Sequence, residues 1–176
     1  FTTAELSIIV GLIQEKICAS IRDVSPDIAR QLDKAGLDKY HEIVCADVHQ
    51  ECLSKLGRIL DKDAVTKISQ MTVFDYFRSE LGEFFLSDEE RIGRPQICFR
   101  IVRPSEPRDI GTLHRDTWFW EHFNFIKPKG YGRIKCWTQV SGDPDMSGLL
   151  LMPQSHLRSV GYRTEMVDGK LSFVQE

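Results

Sequence analysis

The hydrophobic pattern changes its period near Pro95, and this change constrains the fold more than any other feature of the sequence. Before Pro95, apolar residues recur at helical spacing, as in Ile9, Ile13 and Ile17. After it, short runs rich in β-branched and aromatic residues are separated by Gly and Pro turns. Helices followed by strands predict an α+β fold rather than alternating α/β units. We expect a single domain over 1–176, with 1–92 mainly helical and 93–176 forming the sheet.

The helical half contains several recognisable start and stop signals. Thr2 and Glu5 have the spacing of a capping box, Ser25-Pro26 begins a second helix, and Gly36 ends it. A third helix is predicted over 39–60, and shorter helices over 63–70 and 73–85. Ser87 resembles a further helix start. His41, Cys45, His49 and Cys52 share one face of the third helix, but they are spread too far along its axis for one zinc ion. We expect them to pack in the core.

The sheet half contains a possible metal motif. Strands are predicted over 96–102, 112–120, 133–140, 148–152 and 170–174. In a strand over 112–120, His114 and Asp116 would point to the same face and Arg115 away from it. One imidazole and one carboxylate belong to the 2-His-1-carboxylate triad that holds Fe(II). The alternative is a surface pair on a strand.

Other side chains near this motif have simpler interpretations. Trp118 and Phe119 are expected in the core, and the strand arginines Arg100 and Arg103 either in solvent or against an anion. The formal net charge of −3, with no basic cluster, argues against a nucleic-acid partner, and no apolar run spans a bilayer. Five cysteines without a CxxC favour a reducing, cytoplasmic setting.

The His-x-Asp motif, the Trp-containing stretch 134–140, a turn at 141–147 and the run from Gly148 to Pro153-Gln154-Ser155-His156 together resemble the phytanoyl-CoA dioxygenase family. These are Fe(II)- and 2-oxoglutarate-dependent oxygenases. The resemblance implies a helical N-terminal half packed on an antiparallel double-stranded β-helix, a cupin-like jelly roll. It covers about 60 residues, 97–156. Gln154 stands where the family usually has Gly, so the turn geometry is expected to differ.

The resemblance also implies roles for individual residues. His114 and Asp116 are similar to the first two iron ligands, and Trp137 to a strand Trp near 2-oxoglutarate; core packing is the alternative for Trp137. A carboxylate at position 116 favours hydroxylation of an aliphatic C–H over halogenation. The substrate class is a small molecule or lipid-like compound. A catalytically inactive jelly-roll binding module and a cupin-like metalloprotein that does not use 2-oxoglutarate remain as alternatives.

The third iron ligand is the open question. In the family it follows the Pro-Gly-Ser-His turn, but no histidine follows His156, and the predicted strands are too few to close a jelly roll. The jelly roll is therefore expected to be incomplete at its C-terminus. Three explanations stand beside one another: the sequence is a fragment, copies of the chain cover the open sheet edge as a homo-oligomer, or His156 is the third ligand with Arg163 as the 2-oxoglutarate anchor. We expect the first.

Overall fold

The computed structural model describes residues 1–106, 109–125, 127–143, 148–167 and 170–175. The chain divides into two units. Unit 1 comprises Phe1–Ile101 and Val140–Gly142, and unit 2 comprises Val102–Gln139 and Asp143–Glu176. Within the described residues, no helix is both long enough and apolar enough to cross a bilayer.

The first two helices of unit 1 confirm the local signals in the sequence. Helix α1 spans Thr3–Arg22 and begins with the predicted capping box. The Thr2 hydroxyl accepts the amide N–H of Glu5 at 3.2 Å, and the Glu5 carboxylate accepts the amide N–H of Thr2 at 2.7 Å. Helix α2 spans Pro26–Ala35, with Pro at its first turn. Gly36 ends it at φ 87°, a backbone conformation that glycine adopts without strain.

The predicted third helix over 39–60 is wrong. The chain instead forms a short 3₁₀ turn over Leu37–Lys39, helix α3 over Tyr40–Ile43 and helix α4 over Ala46–Lys55. Val44 and Cys45 separate the two helices in extended conformations, with ψ of 104° and 162°. Val44 is buried in the core. Tertiary packing of this β-branched side chain therefore overrides the helical period.

Helices α5 (Lys62–Ser69) and α6 (Thr72–Leu81) lie close to their predicted positions. The predicted helix start at Ser87 is wrong. Asp88 instead organises a loop, because its carboxylate accepts the amide N–H groups of Ile92 at 2.8 Å and Gly93 at 2.6 Å. The unit 1 core is built from buried side chains of α1 to α6 and of the residues between them; they include Ile17, Ile21, Leu32, Val44, Cys52, Leu60, Ile68 and Phe74.

The helix histidine His49 belongs to this core. It is fully buried, and its Nδ1 lies 2.9 Å from the Tyr40 hydroxyl. Cys52 is also fully buried and its thiol donates to the Ser20 hydroxyl at 3.4 Å. For His49 and Cys52 the prediction of packing is confirmed. For His41 and Cys45 this prediction is wrong, because both are exposed; His41 lies in α3 and Cys45 is the N-cap residue of α4.

Unit 2 contains one helix and one antiparallel strand pair among its described residues. Helix α7 spans Asp116–His122, a 3₁₀ turn spans Ser155–Leu157, and strands β1 (Tyr162–Val167) and β2 (Lys170–Gln175) pair with Tyr162 opposite Gln175. The predicted strand over 170–174 is confirmed. Residues 144–147 of the predicted turn at 141–147 lie outside the described residues.

The other four predicted strands are wrong within the described chain. Residues 133–140 and 148–152 form no strand, and 96–102 contributes only a single bridge, between Cys98 and Ile59. Residues 112–120 contain the start of α7. The double-stranded β-helix therefore stays a prediction, and the described fold is a mixture of helices with one β-hairpin-like pair.

Aromatic side chains form the core of unit 2, as expected for Trp118. This residue is buried and stacks on Tyr162 with ring centroids 5.3 Å apart. The Phe119 ring packs edge-on against the buried Phe173 ring of β2, with ring centroids 6.1 Å apart. Helix α7 and the strand pair are therefore joined by ring packing.

The expectation that Arg103 lies in solvent or against an anionic ligand is wrong. Its side chain is buried, and its guanidinium binds the buried Asp109 carboxylate at 2.8 and 3.1 Å. Two parallel hydrogen bonds are the geometry in which Arg and a carboxylate pair most strongly. The pair closes the loop that precedes the His-x-Asp motif.

Candidate functional site

The His-x-Asp motif lies at the start of a helix and not on a strand. Arg115 is the N-cap of α7 in an extended conformation, and Asp116 is the first helical residue. A carboxylate at this position interacts favourably with the helix dipole. Phe119 of α7 and Phe123, its C-cap residue, stand one turn apart with ring centroids 4.7 Å from each other and add local support. These helix-favouring contacts explain why the strand prediction failed here.

His114 and Asp116 nevertheless come together. His114 Nε2 lies 3.7 Å from Asp116 Oδ1, and their side chains are 41% and 35% exposed. The Thr112 carbonyl accepts a hydrogen bond from His114 Nδ1 at 2.6 Å. This bond places the proton of a neutral imidazole on Nδ1 and leaves the Nε2 lone pair directed away from the backbone. Metal-binding histidines are commonly oriented in this way by a carbonyl.

Lys135 is a second neighbour of Asp116. Its Nζ lies 3.6 Å from Asp116 Oδ2, so the two carboxylate oxygens face two different partners. The His114 side chain, and then the charge of Lys135, hold the pKa of Asp116 below its usual value, although burial acts in the opposite direction. At 3.7 Å the contact between His114 Nε2 and Asp116 Oδ1 is too long for a strong hydrogen bond. The carboxylate is therefore ionised at neutral pH.

Arg115 connects the motif to the turn that contains His156. Its guanidinium donates to the carbonyl of Arg158 at 2.7 Å and also to the carbonyl of Ser155. The Ser155–Leu157 turn follows Gln154, which adopts the left-handed conformation at φ 58°. Glycine is the usual residue in this left-handed conformation, so Gln154 is a non-glycine residue at a position that favours glycine.

The structure does not assemble the complete predicted site. His156 is exposed on its turn, Trp137 is 53% exposed, and Arg163 binds Glu165 at 2.7 Å on the same strand. Across the residues described here, no group of three or more His, Cys, Asp and Glu side chains is placed to hold one metal ion. The exposure of Trp137 also contradicts its alternative interpretation as a core residue.

The donors present fit part of a divalent-metal site. Imidazole nitrogen and carboxylate oxygen are the donor types of the Fe(II) triad, and His114 Nε2 lies 3.7 Å from Asp116 Oδ1, so these two side chains would hold the metal. The chain therefore supplies two of the three protein ligands of such a triad. Sequence reasoning identified this pair but missed Thr112, Arg115 and Lys135. Only Arg115 and Thr112 carried a signal, namely their position within two residues of the motif.

Comparison with known proteins adds no relative. No family model, no curated protein and no solved structure matches the chain.

Proposed function

We propose that this chain is a non-haem iron oxygenase that uses Fe(II) and 2-oxoglutarate to hydroxylate an aliphatic C–H of a small-molecule or lipid-like substrate. The observation that carries the proposal is the pairing of His114 Nε2 with Asp116 Oδ1 at 3.7 Å, with His114 Nδ1 held by the Thr112 carbonyl. The similarity of residues 97–156 to the phytanoyl-CoA dioxygenase family supplies the choice of metal and cosubstrate. We place the protein in the cytoplasm, on the cysteine content of the sequence.

The residues of the chain have separate tasks in this proposal. His114 and Asp116 hold the metal, and Thr112 orients the imidazole. Arg115 fixes the 155–158 turn beside the motif. When bound, the iron and its cosubstrate supply oxygen activation coupled to oxidative decarboxylation of 2-oxoglutarate. The protein supplies ligands, orientation and the charged groups around them.

The test is an anaerobic Fe(II) titration followed by a measurement of succinate formed from 2-oxoglutarate. Removing one ligand of a two- or three-ligand site should weaken Fe(II) binding at least about tenfold in His114→Ala and in Asp116→Ala. His41→Ala is the matched control, because His41 is an exposed histidine of unit 1. We expect His156→Ala to leave the affinity unchanged. Equal loss of affinity in His41→Ala would contradict the proposal.

A second candidate function is a binding module that holds no metal. The contact between Lys135 Nζ and Asp116 Oδ2 at 3.6 Å favours it, because an ammonium already balances the carboxylate charge there. In that case Fe(II) would bind no better to the wild-type protein than to Asp116→Ala. No succinate would form with either protein.

A further inference from the structure

The segment 127–137 of unit 2 combines positive charge with exposed apolar side chains. Its sequence, KPKGYGRIKCW, contains four cations and no acidic residue, although the net charge of the whole chain is −3. The segment forms neither helix nor strand. Tyr131 is exposed, and the side chains of Ile134 and Trp137 are 64% and 53% exposed. A local excess of positive charge beside uncovered apolar groups marks a surface for a partner that is both anionic and apolar.

Two of the four cations hold the segment against α7. The Arg133 guanidinium lies over the Trp120 ring at 4.5 Å, and Lys135 Nζ lies 3.6 Å from Asp116 Oδ2. Trp120 and Asp116 stand one turn apart on α7, so the segment runs along this helix. Ile134, between the two contacting residues in sequence, remains exposed to solvent. Its exposure is therefore a property of a segment that is fixed to its own unit.

A tight turn carries the other two cations. The amide N–H of Tyr131 donates to the Pro128 carbonyl at 3.2 Å, and Gly130 between them has φ 87°. The third residue of a type II turn requires such a positive φ. Lys129 is the second residue of this turn and Lys127 precedes it, and both side chains are exposed. Two exposed ammonium groups therefore lie at the turn.

A second exposed apolar stretch lies near the same end of α7. The apolar side chains of 149–152 are all exposed. The chain then enters the 155–158 turn, whose carbonyls accept hydrogen bonds from Arg115 at the start of α7. Asp116, the next residue, contacts Lys135 of the first segment. Adjacent residues of α7 thus hold the basic segment and the turn that follows the second stretch.

We propose that these two stretches form a surface that binds anionic lipid bilayers, with Lys127 and Lys129 against the headgroups and Ile134 and Trp137 in the interfacial layer. Aromatic and long cationic side chains are favoured at a membrane–water boundary, because each has an apolar body and a polar end. Anionic lipids such as phosphatidylserine give the cytoplasmic leaflet its negative charge. The chain would lie on the bilayer without crossing it. The inference does not depend on the metal proposed above.

A bilayer matches this surface more completely than a nucleic acid does. Phosphates of a nucleic acid would neutralise Lys127 and Lys129, but they would leave Ile134 and the side chains of 149–152 in water. An anionic bilayer offers negative headgroups and, directly below them, an apolar layer. Both kinds of exposed group are then used by one partner.

The experiment is cosedimentation with vesicles of equal parts phosphatidylcholine and phosphatidylserine, compared with vesicles of phosphatidylcholine alone. We expect binding to the mixed vesicles that weakens as the salt concentration rises, and little binding to phosphatidylcholine. The double variant Lys127→Gln/Lys129→Gln should bind the mixed vesicles about thirtyfold more weakly, because each cation near the surface adds to the attraction. Lys62→Gln/Lys67→Gln, which removes two exposed lysines of α5, is the matched control and should bind as the wild type does.

Two further variants test the apolar contribution. Ile134→Ser should weaken binding about tenfold, whereas Ile8→Ser, at an exposed isoleucine of α1, should have no effect. In the wild type, mixed vesicles should shift the tryptophan emission to shorter wavelength. Trp137→Phe should remove most of this shift while the protein still binds. Because these positions are exposed, the far-UV circular dichroism of each variant should match that of the wild type.

Four results would overturn the proposal. The first is no binding to the mixed vesicles at low salt, and the second is equal binding to phosphatidylcholine alone. The third is an equal loss of binding in the control variants. The fourth is that the surface serves another partner and not the vesicles: an oligonucleotide that the lysine variant releases and Ile134→Ser does not, or a second copy of the chain, seen as self-association that Ile134→Ser abolishes.

Discussion

The carboxylate of Glu5 stabilises the first turns of two helices at once. It accepts the amide N–H of Thr2 at the start of α1 and the amide N–H of Thr72 at the start of α6, the latter at 2.6 Å. The Thr72 hydroxyl also donates to it at 2.9 Å. Backbone hydrogen bonds from Thr2 and then Thr72 lower the pKa of Glu5 to about 2. An ionised carboxylate thus satisfies amides that neither helix can satisfy internally.

We predict that Glu5 makes the stability of unit 1 depend on pH. Its pKa is lowered from 4.5 to about 2, so its contribution is present above pH 4.5 and is lost as the pH falls towards about 2. Thermal unfolding followed by far-UV circular dichroism should show a lower Tm for Glu5→Gln at neutral pH. The difference from wild type should shrink through this acid window.

The matched control for this prediction is Glu15→Gln, on an exposed position of the same helix. The Tm of this control should equal that of the wild type at every pH. A difference between wild type and Glu5→Gln that stays constant down to pH 2 would show that the charge of Glu5 is not what matters.

At the level of elements, Arg115 stabilises the 155–158 turn from the start of α7. Its bonds to the carbonyls of Ser155 and Arg158 join segments some forty residues apart in sequence. Within the turn, the amide N–H of Leu157 donates to the Gln154 carbonyl at 3.0 Å and that of Arg158 to the Ser155 carbonyl at 3.2 Å, while the His156 and Leu157 side chains are exposed. Arg115 adds bonds from outside the turn, so its loss should let the turn open more often.

We predict that Arg115→Gln makes the Arg158–Ser159 bond more sensitive to trypsin. The carbonyl of Arg158 accepts from the Arg115 guanidinium at 2.7 Å, so loss of this bond lets the scissile peptide open more often. Mass spectrometry of timed digests would measure cleavage after Arg158. Cleavage after Arg163, on β1, is the internal reference and should not change. Equal rates at Arg158 in both proteins would show that Arg115 does not order the turn.

At the scale of the whole molecule, the two units differ in their cores. Unit 1 buries aliphatic side chains of α1 to α6, whereas Trp118 and Phe173 are the buried apolar side chains recorded for the described part of unit 2. Unit 2 also exposes apolar side chains over 148–152; Leu150 is 80% exposed. The free energy of unfolding grows with the apolar area that folding buries. Unit 2 is therefore expected to be less stable than unit 1.

We predict that the two units unfold at different denaturant concentrations. All three tryptophans, Trp118, Trp120 and Trp137, belong to unit 2, so their fluorescence reports this unit alone. Far-UV circular dichroism is dominated by the helices of unit 1. Fluorescence should change at a lower urea concentration than the helical signal, in contrast to a two-state transition. Coincident curves would contradict the prediction.

Local signals predicted the fold where the structure depends on neighbours in sequence. The capping box at Thr2 and the Pro26 and Gly36 signals of α2 involve residues within one turn of one another. The break at Val44 could not be predicted in this way, because it follows from burial against distant side chains. Strand β2 was predicted, whereas its partner β1 was missed although Asp168-Gly169 is a hairpin signal. Those two residues lie outside the described chain.

In the candidate site, too, contacts between neighbours in sequence were predicted and contacts between distant residues were not. The spacing of His114 and Asp116 predicted their convergence, and they do approach to 3.7 Å, but as the residues that begin a helix. The contact with Lys135 depends on a separate segment of the chain, so no spacing rule could have found it. The role of Trp137 came from the resemblance, and those of His156 and Arg163 were considered because no histidine follows His156. They stay predictions.

Chain order has a consequence for synthesis. Val140 packs on the unit 1 core and the Ser141 hydroxyl donates to the Asp38 carboxylate, yet 102–139 of unit 2 come before them in sequence. A chain that emerges from the ribosome N-terminus first presents α1 to α6 long before residue 140. The surface of unit 1 that Val140 covers therefore stays exposed until residues 102–139 have been translated.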